Sequence, residues 1–129
     1  MQPIIVIGTG LAGFNLVKEL RKLDKTTPVI MLTSDDGRNY SKPMLSNGFA
    51  KQKDADALAM ATAEQTATQL DVSIRTGVNV TAIDTAGKQV EIGAEKIGYS
   101  KLVLALGADV FRPPMSGDAL DQVYTVNDL

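Results

Sequence analysis

Residues 3–7, PIIVI, form an unbroken apolar run, and β-branched residues in such a run predict a strand covered on both faces of a parallel sheet. From Leu11 to Asp24 the period becomes helical: Leu16, Val17, Leu20 and Leu23 fall on one stripe, with Lys18, Glu19, Arg21 and Lys22 on the wet side. A second strand is expected over 29–33, introduced by Pro28 and closed by Ser34, Asp35 and Asp36. Residues 37–57 lack a clean period and carry Gly37, Pro43 and Gly48, which predicts a loop with one short helix near 43–50. Residues 61–70 read as a helix of modest amphipathicity, and DVSIRTG as a short strand. VNVTAID alternates, TAGKQ turns, and QVEIG and EKIGYS follow, a pattern that predicts an antiparallel meander. KLVLALG returns to an unbroken apolar strand over 102–106, and the turn-rich remainder is expected to hold one strand at 123–126. The fold class is therefore α/β, with parallel strands at 3–7, 29–33 and 102–106 and the antiparallel β-meander as an added layer. No internal repeat or low-complexity segment interrupts the pattern.

Composition narrows the chemistry more than the architecture. A chain of 129 residues, 44% hydrophobic and 22% charged, suits one ordinary globular domain. A formal net charge of -2 argues against a nucleic-acid partner, and no apolar run approaches the roughly 20 residues of a membrane span. The N-terminus has no basic segment and only a short apolar run before Gly8, which is unlike a signal peptide. There is no cysteine and no histidine. That excludes disulfides, thiolate metal sites, cysteine nucleophiles and Ser-His-Asp chemistry, so any redox chemistry must come from a bound cofactor. A cysteine-free chain is compatible with the reducing cytoplasm, the compartment expected here.

One motif carries the functional signal. Gly8, Gly10 and Gly13 have the spacing G-x-G-x-x-G, within the stretch Gly8, Thr9, Gly10, Leu11, Ala12, Gly13. The first glycine permits a tight turn out of the strand, the second lets a pyrophosphate approach the backbone, and the third lets helix and strand pack closely. The helix N-terminus then offers unpaired N–H groups and a positive dipole end to phosphates. The mechanism requires a strand before, a helix after, and an acid at the end of the second strand to bind ribose hydroxyls. Asp35 stands there, 22 residues after Gly13, and Ser34 is the alternative ribose partner. Such a β-α-β unit fits NAD, NADP or FAD. Two features favour FAD: a long irregular segment follows the second strand, and a meander leads into KLVLALGA with its further glycine.

These segments together resemble the N-terminal part of the FAD-dependent pyridine nucleotide-disulfide oxidoreductases, and most closely the bacterial rubredoxin reductases. IVIGTGLAG is similar to their first FAD loop. Tyr40, Lys42, Pro43, Leu45 and Ser46 match their flavin-side segment, Tyr-x-(Lys/Arg)-Pro-x-Leu-Ser. VNVTAID resembles the stretch whose backbone, around Val80, faces the adenine, and YSKLVLALGADVFRPP the segment whose Ala105 and Gly107 line the cofactor. Leu106 stands where the family commonly has threonine, and Asn47 where ferredoxin-type relatives carry lysine, which leaves Lys42 as the cation implied near the flavin. The lack of cysteine agrees with relatives that do not reduce disulfides.

The resemblance implies a Rossmann-like FAD-binding fold in which residues 1–129 are the N-terminal part of the FAD domain. The NAD(P)H-binding domain, with its own glycine loop, and the rest of the FAD domain would lie outside this chain. It further implies electrons passed from NAD(P)H via FAD to a small iron protein such as rubredoxin or a ferredoxin-type carrier, with no catalytic side chain in this portion. Arg38, Lys42, Lys51 and Lys53 would offer a basic rim to such a carrier, diluted by Asp54 and Asp56. Two other readings remain at this level: a self-contained NAD(P)-binding regulatory module, and an α/β domain whose glycines only turn a corner.

Overall fold

The computed structural model describes residues 1–129. Seven strands and three α-helices follow in the order β1 (Ile4–Ile7), α1 (Leu11–Leu23), β2 (Val29–Leu32), α2 (Ala55–Leu58), α3 (Ala63–Leu70), β3 (Ser73–Arg75), β4 (Ala82–Asp84), β5 (Gln89–Ile92), β6 (Glu95–Gly98) and β7 (Lys101–Leu104). Short 3₁₀ helices cover Lys42–Asn47 and Leu120–Gln122. β3, β2, β1 and β7 form one parallel sheet in that order, and β4, β5 and β6 a separate antiparallel sheet.

The alternation within β1 explains the layering. Ile4 and Val6 point to one face and pack with Phe14 and Val17 of α1 and with Val29 and Met31 of β2. Ile5 and Ile7 point to the other face, where Leu32, Val90 of β5 and Tyr99 cover them. A strand flanked on both sides needs apolar residues at every position, which is why β1 reads as a continuous run. Each fully buried Ile, Val or Met here contributes about 1.5–3 kcal/mol relative to exposure. Arg21 ties the α1 face together: its guanidinium donates to the carbonyls of Leu70, Asp24, Thr27 and Asp71 at 2.8–3.1 Å, closing the C-terminal ends of α1 and α3.

Several sequence expectations need correction. The buried stripe of α1 is Gly13, Phe14 and Val17, with Leu20 at its margin; Leu16 and Leu23 are 39% and 89% exposed. The helix packs through the close approach at Gly13, which rotates the stripe away from Leu16 and Leu23. No strand forms at 123–126, because β7 pairs only with β1 and no neighbour offers a ladder to that segment. β7 itself ends at Leu104: Ala105 still donates to the Ile7 carbonyl at 2.8 Å, but Gly107 has φ +71° and turns the chain away. DVSIRTG supplies β3, a fourth parallel strand on the β2 edge. The short helix near 43–50 is the 3₁₀ helix with Pro43 in its first turn, and α2 is an addition, capped by the Asp54 side chain, which accepts from the Ala57 N–H at 2.8 Å.

Candidate functional site

A cleft of about 880 Å³ opens at the C-terminal ends of β1, β2 and β7, within the size range of small-molecule and cofactor sites. Its floor is the turn from β1 into α1. Gly8 has φ +111°, and a Cβ there would run into the Ala105 carbonyl, so only glycine brings β1 and β7 so close at this corner. A Cβ on Gly13 would likewise meet the Gly8 carbonyl, the contact that seats α1 against the turn. Gly10 differs: no atom lies within 4 Å of the place its Cβ would take. That space opens into the cleft and would be filled by any side chain.

Gly10 is also the N-cap of α1, with no side-chain cap and no acid in the first turn. The N–H groups of Leu11, Ala12 and Gly13 find no acceptor in the protein. A 13-residue helix therefore presents its positive end and free donors across an open glycine. Nothing acidic from the chain competes for them. This is the chemistry a pyrophosphate requires, and the floor of the cleft fits one.

Across from this floor stands Asp35. Its Oδ1 accepts from the Thr33 hydroxyl at 2.7 Å, the Gly37 N–H at 2.8 Å and, more weakly, the Thr9 hydroxyl at 3.4 Å. Its backbone carbonyl accepts from the Gly77 N–H at 3.0 Å. Oδ2 has no partner in the protein, which leaves it as an acceptor for a ligand hydroxyl. Ser34 is exposed, lines the same cleft and makes no side-chain hydrogen bond.

The wall beyond Asp35 is the segment 78–83. Val78 donates to the Thr33 carbonyl at 2.9 Å, so the segment that the alternation assigned to the meander is first held by the end of β2 and reaches β4 only at Ala82. Neither the N–H nor the carbonyl of Val80 has a partner, and Val80 lines the cleft. The opposite wall is the end of β7, with Ala105 and Gly107 beside Leu104 and Leu106, which are 58% and 68% exposed. Lys42, at the start of the 3₁₀ helix, also borders the cleft and makes no ion pair.

The structure thus brings Gly8, Thr9, Gly10, Leu11, Ala12, Ser34, Asp35, Lys42, Val80, Ala105 and Gly107 to one cleft. Gly13 and Pro43 do not line it: Gly13 is buried beneath the turn, and Pro43, in the first turn of the 3₁₀ helix, is exposed on the outer surface. The basic rim is also smaller than the sequence suggests, because Arg38 pairs with Asp36 at 2.7 Å and Asp56 at 3.0 Å. The cleft also takes in Tyr40, which the resemblance places in the flavin-side segment, together with Thr33, Asn127 and Asp128, to which the motifs assign no site role. Tyr40 is buried at the cleft, and burial, together with the nearby Asp35 and Asp128 carboxylates, pushes its phenol up from the ordinary value. No group of acids suited to a metal ion is present, and no helix is long and apolar enough to cross a membrane.

Comparison with known proteins places this cleft among relatives. The family model for pyridine nucleotide-disulphide oxidoreductases matches residues 2–129. Over 129 residues the chain is 63% identical to a rubredoxin-NAD(+) reductase of Alcanivorax borkumensis, covering all of this chain and 34% of that protein. It is 42% identical over 127 residues to a nitric oxide reductase FlRd-NAD(+) reductase of Vibrio vulnificus, covering 98% of this chain and 33% of that one. Among solved structures, the NADH:rubredoxin oxidoreductase of Clostridium acetobutylicum aligns with a TM-score of 0.67 at 28% identity, over 87% of this chain and 30% of its own. The chain therefore spans about a third of the length of the curated relatives it matches.

Proposed function

The chain belongs to the pyridine nucleotide-disulphide oxidoreductase family, and from that premise we propose that it is the first part of the FAD domain of an NADH-dependent reductase that passes electrons to a small iron protein such as rubredoxin. The observation that carries this reading is the pairing of two features in one cleft. The open Gly10 and free N–H groups of α1 suit a pyrophosphate, and the bare Oδ2 of Asp35 suits the ribose attached to it. The free backbone groups of Val80 lie further along the same cleft, where a base edge would pair with them. Lys42 is the cation we place beside the isoalloxazine, because it borders the cleft with no carboxylate to neutralise it.

When bound, FAD supplies the exchange between a two-electron donor and a one-electron acceptor, chemistry that no side chain of this cysteine-free, histidine-free chain provides. The chain's own part is to bind and to orient. α1 would hold the phosphates and Asp35 the ribose, and the apolar Leu104 and Leu106 would give the cofactor an apolar wall at the end of β7. The names of the relatives favour NAD(H) over NADP(H) and rubredoxin or a flavorubredoxin as the acceptor. We propose a cytoplasmic location, the reducing compartment with which a cysteine-free chain is compatible.

The test is turnover by the full-length protein. With NADH and oxidised rubredoxin, the visible absorbance of the ferric iron centre should bleach at a rate that requires added or retained FAD. Rubredoxin that stays oxidised while NADH is bound would contradict the proposal and favour a nucleotide-sensing role.

A further inference from the structure

Asp35 ends β2 with its two carboxylate oxygens in opposite states. Oδ1 takes hydrogen bonds from Thr33, Gly37 and Thr9, while Oδ2 takes none. The Thr33 hydroxyl is itself fixed, because it also accepts from the Asp35 N–H at 3.4 Å. Gly37 reaches Oδ1 only through its left-handed backbone, φ +69°. The Asp35 main chain is held from the other side by the Gly77 N–H. A carboxylate restrained at its carbonyl, its N–H and one oxygen cannot exchange its two oxygens without breaking the set.

We propose that Thr33 is a positioning residue for the ribose site, with Thr9 as a weaker second. They hold Asp35 so that Oδ2 alone faces the cleft, already aimed at a ribose hydroxyl before the cofactor arrives. This rests on the FAD reading above. Restraint of this kind raises affinity by removing ordering that binding would otherwise have to impose. Ser34, the alternative ribose partner, has no such support, since nothing holds its hydroxyl. Thr9 adds a link between the glycine loop and the acid at the end of β2, 26 residues away in sequence.

The experiment is a cycle of variants in the full-length protein, stripped of flavin and titrated with FAD by flavin fluorescence. Thr33→Val preserves shape and should raise the FAD Kd about tenfold, the effect of one hydrogen bond to a charged group. Thr33→Ser should restore most of it. Thr9→Val should raise the Kd about threefold, in keeping with its longer contact. In an Asp35→Ala background, Thr33→Val should cause no further loss, and FMN, which lacks the adenosine, should bind all variants alike. Thr33→Val weakening FAD equally in both backgrounds would overturn the inference, as would a Kd unchanged by Thr33→Val when Asp35→Ala raises it. Should Thr33→Val fail to fold, the same cycle with Thr9→Val decides the question. A wild-type protein that binds no FAD would instead overturn the functional reading on which this rests.

Discussion

The three glycines of the β1–α1 turn have three separate jobs, and single substitutions separate them. Gly8 has a positive φ and no room for a Cβ, so Gly8→Ala should cost about 2 kcal/mol or more of stability, measurable as a fall in urea midpoint. Gly10 has room, so Gly10→Ala should leave stability within about 0.5 kcal/mol while filling the space a pyrophosphate needs. FAD affinity should then fall at least tenfold by about the rule of a lost charged hydrogen bond. Equal stability loss in both variants would show that Gly10 is only structural. At the other end of α1, hydrogen bonds donated by Thr27 and Thr26 hold the Asp24 carboxyl well below its ordinary value of 3.8. The folded chain therefore prefers the ionised acid. That contribution is complete above pH 3.8 and is lost as the pH falls below it. Asp24→Asn should flatten the acid limb of the stability profile, read from urea midpoints between about pH 5 and about pH 2; an unchanged profile would count against the assignment.

At the scale of elements, the sequence was clearest where one residue pattern decides one layer. β1 and β2 are legible because strands covered on both faces must be apolar throughout, and the meander because its positions alternate between turns. The buried face of α1 was not legible in the same way. Periodicity admits Leu16 and Leu23 to the stripe as readily as Phe14, and only the seating of Gly13 on the Gly8 carbonyl settles the rotation. The expected strand at 123–126 failed because a strand is a property of a pair, and its partner is not written in its own residues. The Thr9–Asp35 contact was hidden for a similar reason: it joins residues far apart in sequence, and neither shows it alone. The periodicity of α1 puts Arg21 on the wet face, yet it clasps four carbonyls across two helix ends. Arg21→Ala should lower stability by about 1–3 kcal/mol, because the Leu70 and Thr27 carbonyls it serves are partly buried. Arg21→Lys should recover little of that, since one ammonium cannot span the set. Chemical denaturation of both variants checks the order.

Taken as a whole, the molecule is a site-bearing sheet with covering layers of unequal extent. Gly8, Gly10, Asp35 and Lys42 were found from motif spacing and family resemblance, and the sheet then gathers them at one end of β1, β2 and β7. That end is where ligands of open α/β sheets bind. Leu104 and Leu106, 58% and 68% exposed, line the β7 wall of that cleft. The proposed occupant of this cleft is the adenosine pyrophosphate of FAD. The most direct measurement is the identity of the small molecule released on denaturing the purified full-length protein, read by chromatography and mass spectrometry. FAD at about one per chain, and less of it in the Gly10→Ala protein, is the predicted result. A protein that releases no flavin, or only a nicotinamide nucleotide, would contradict it.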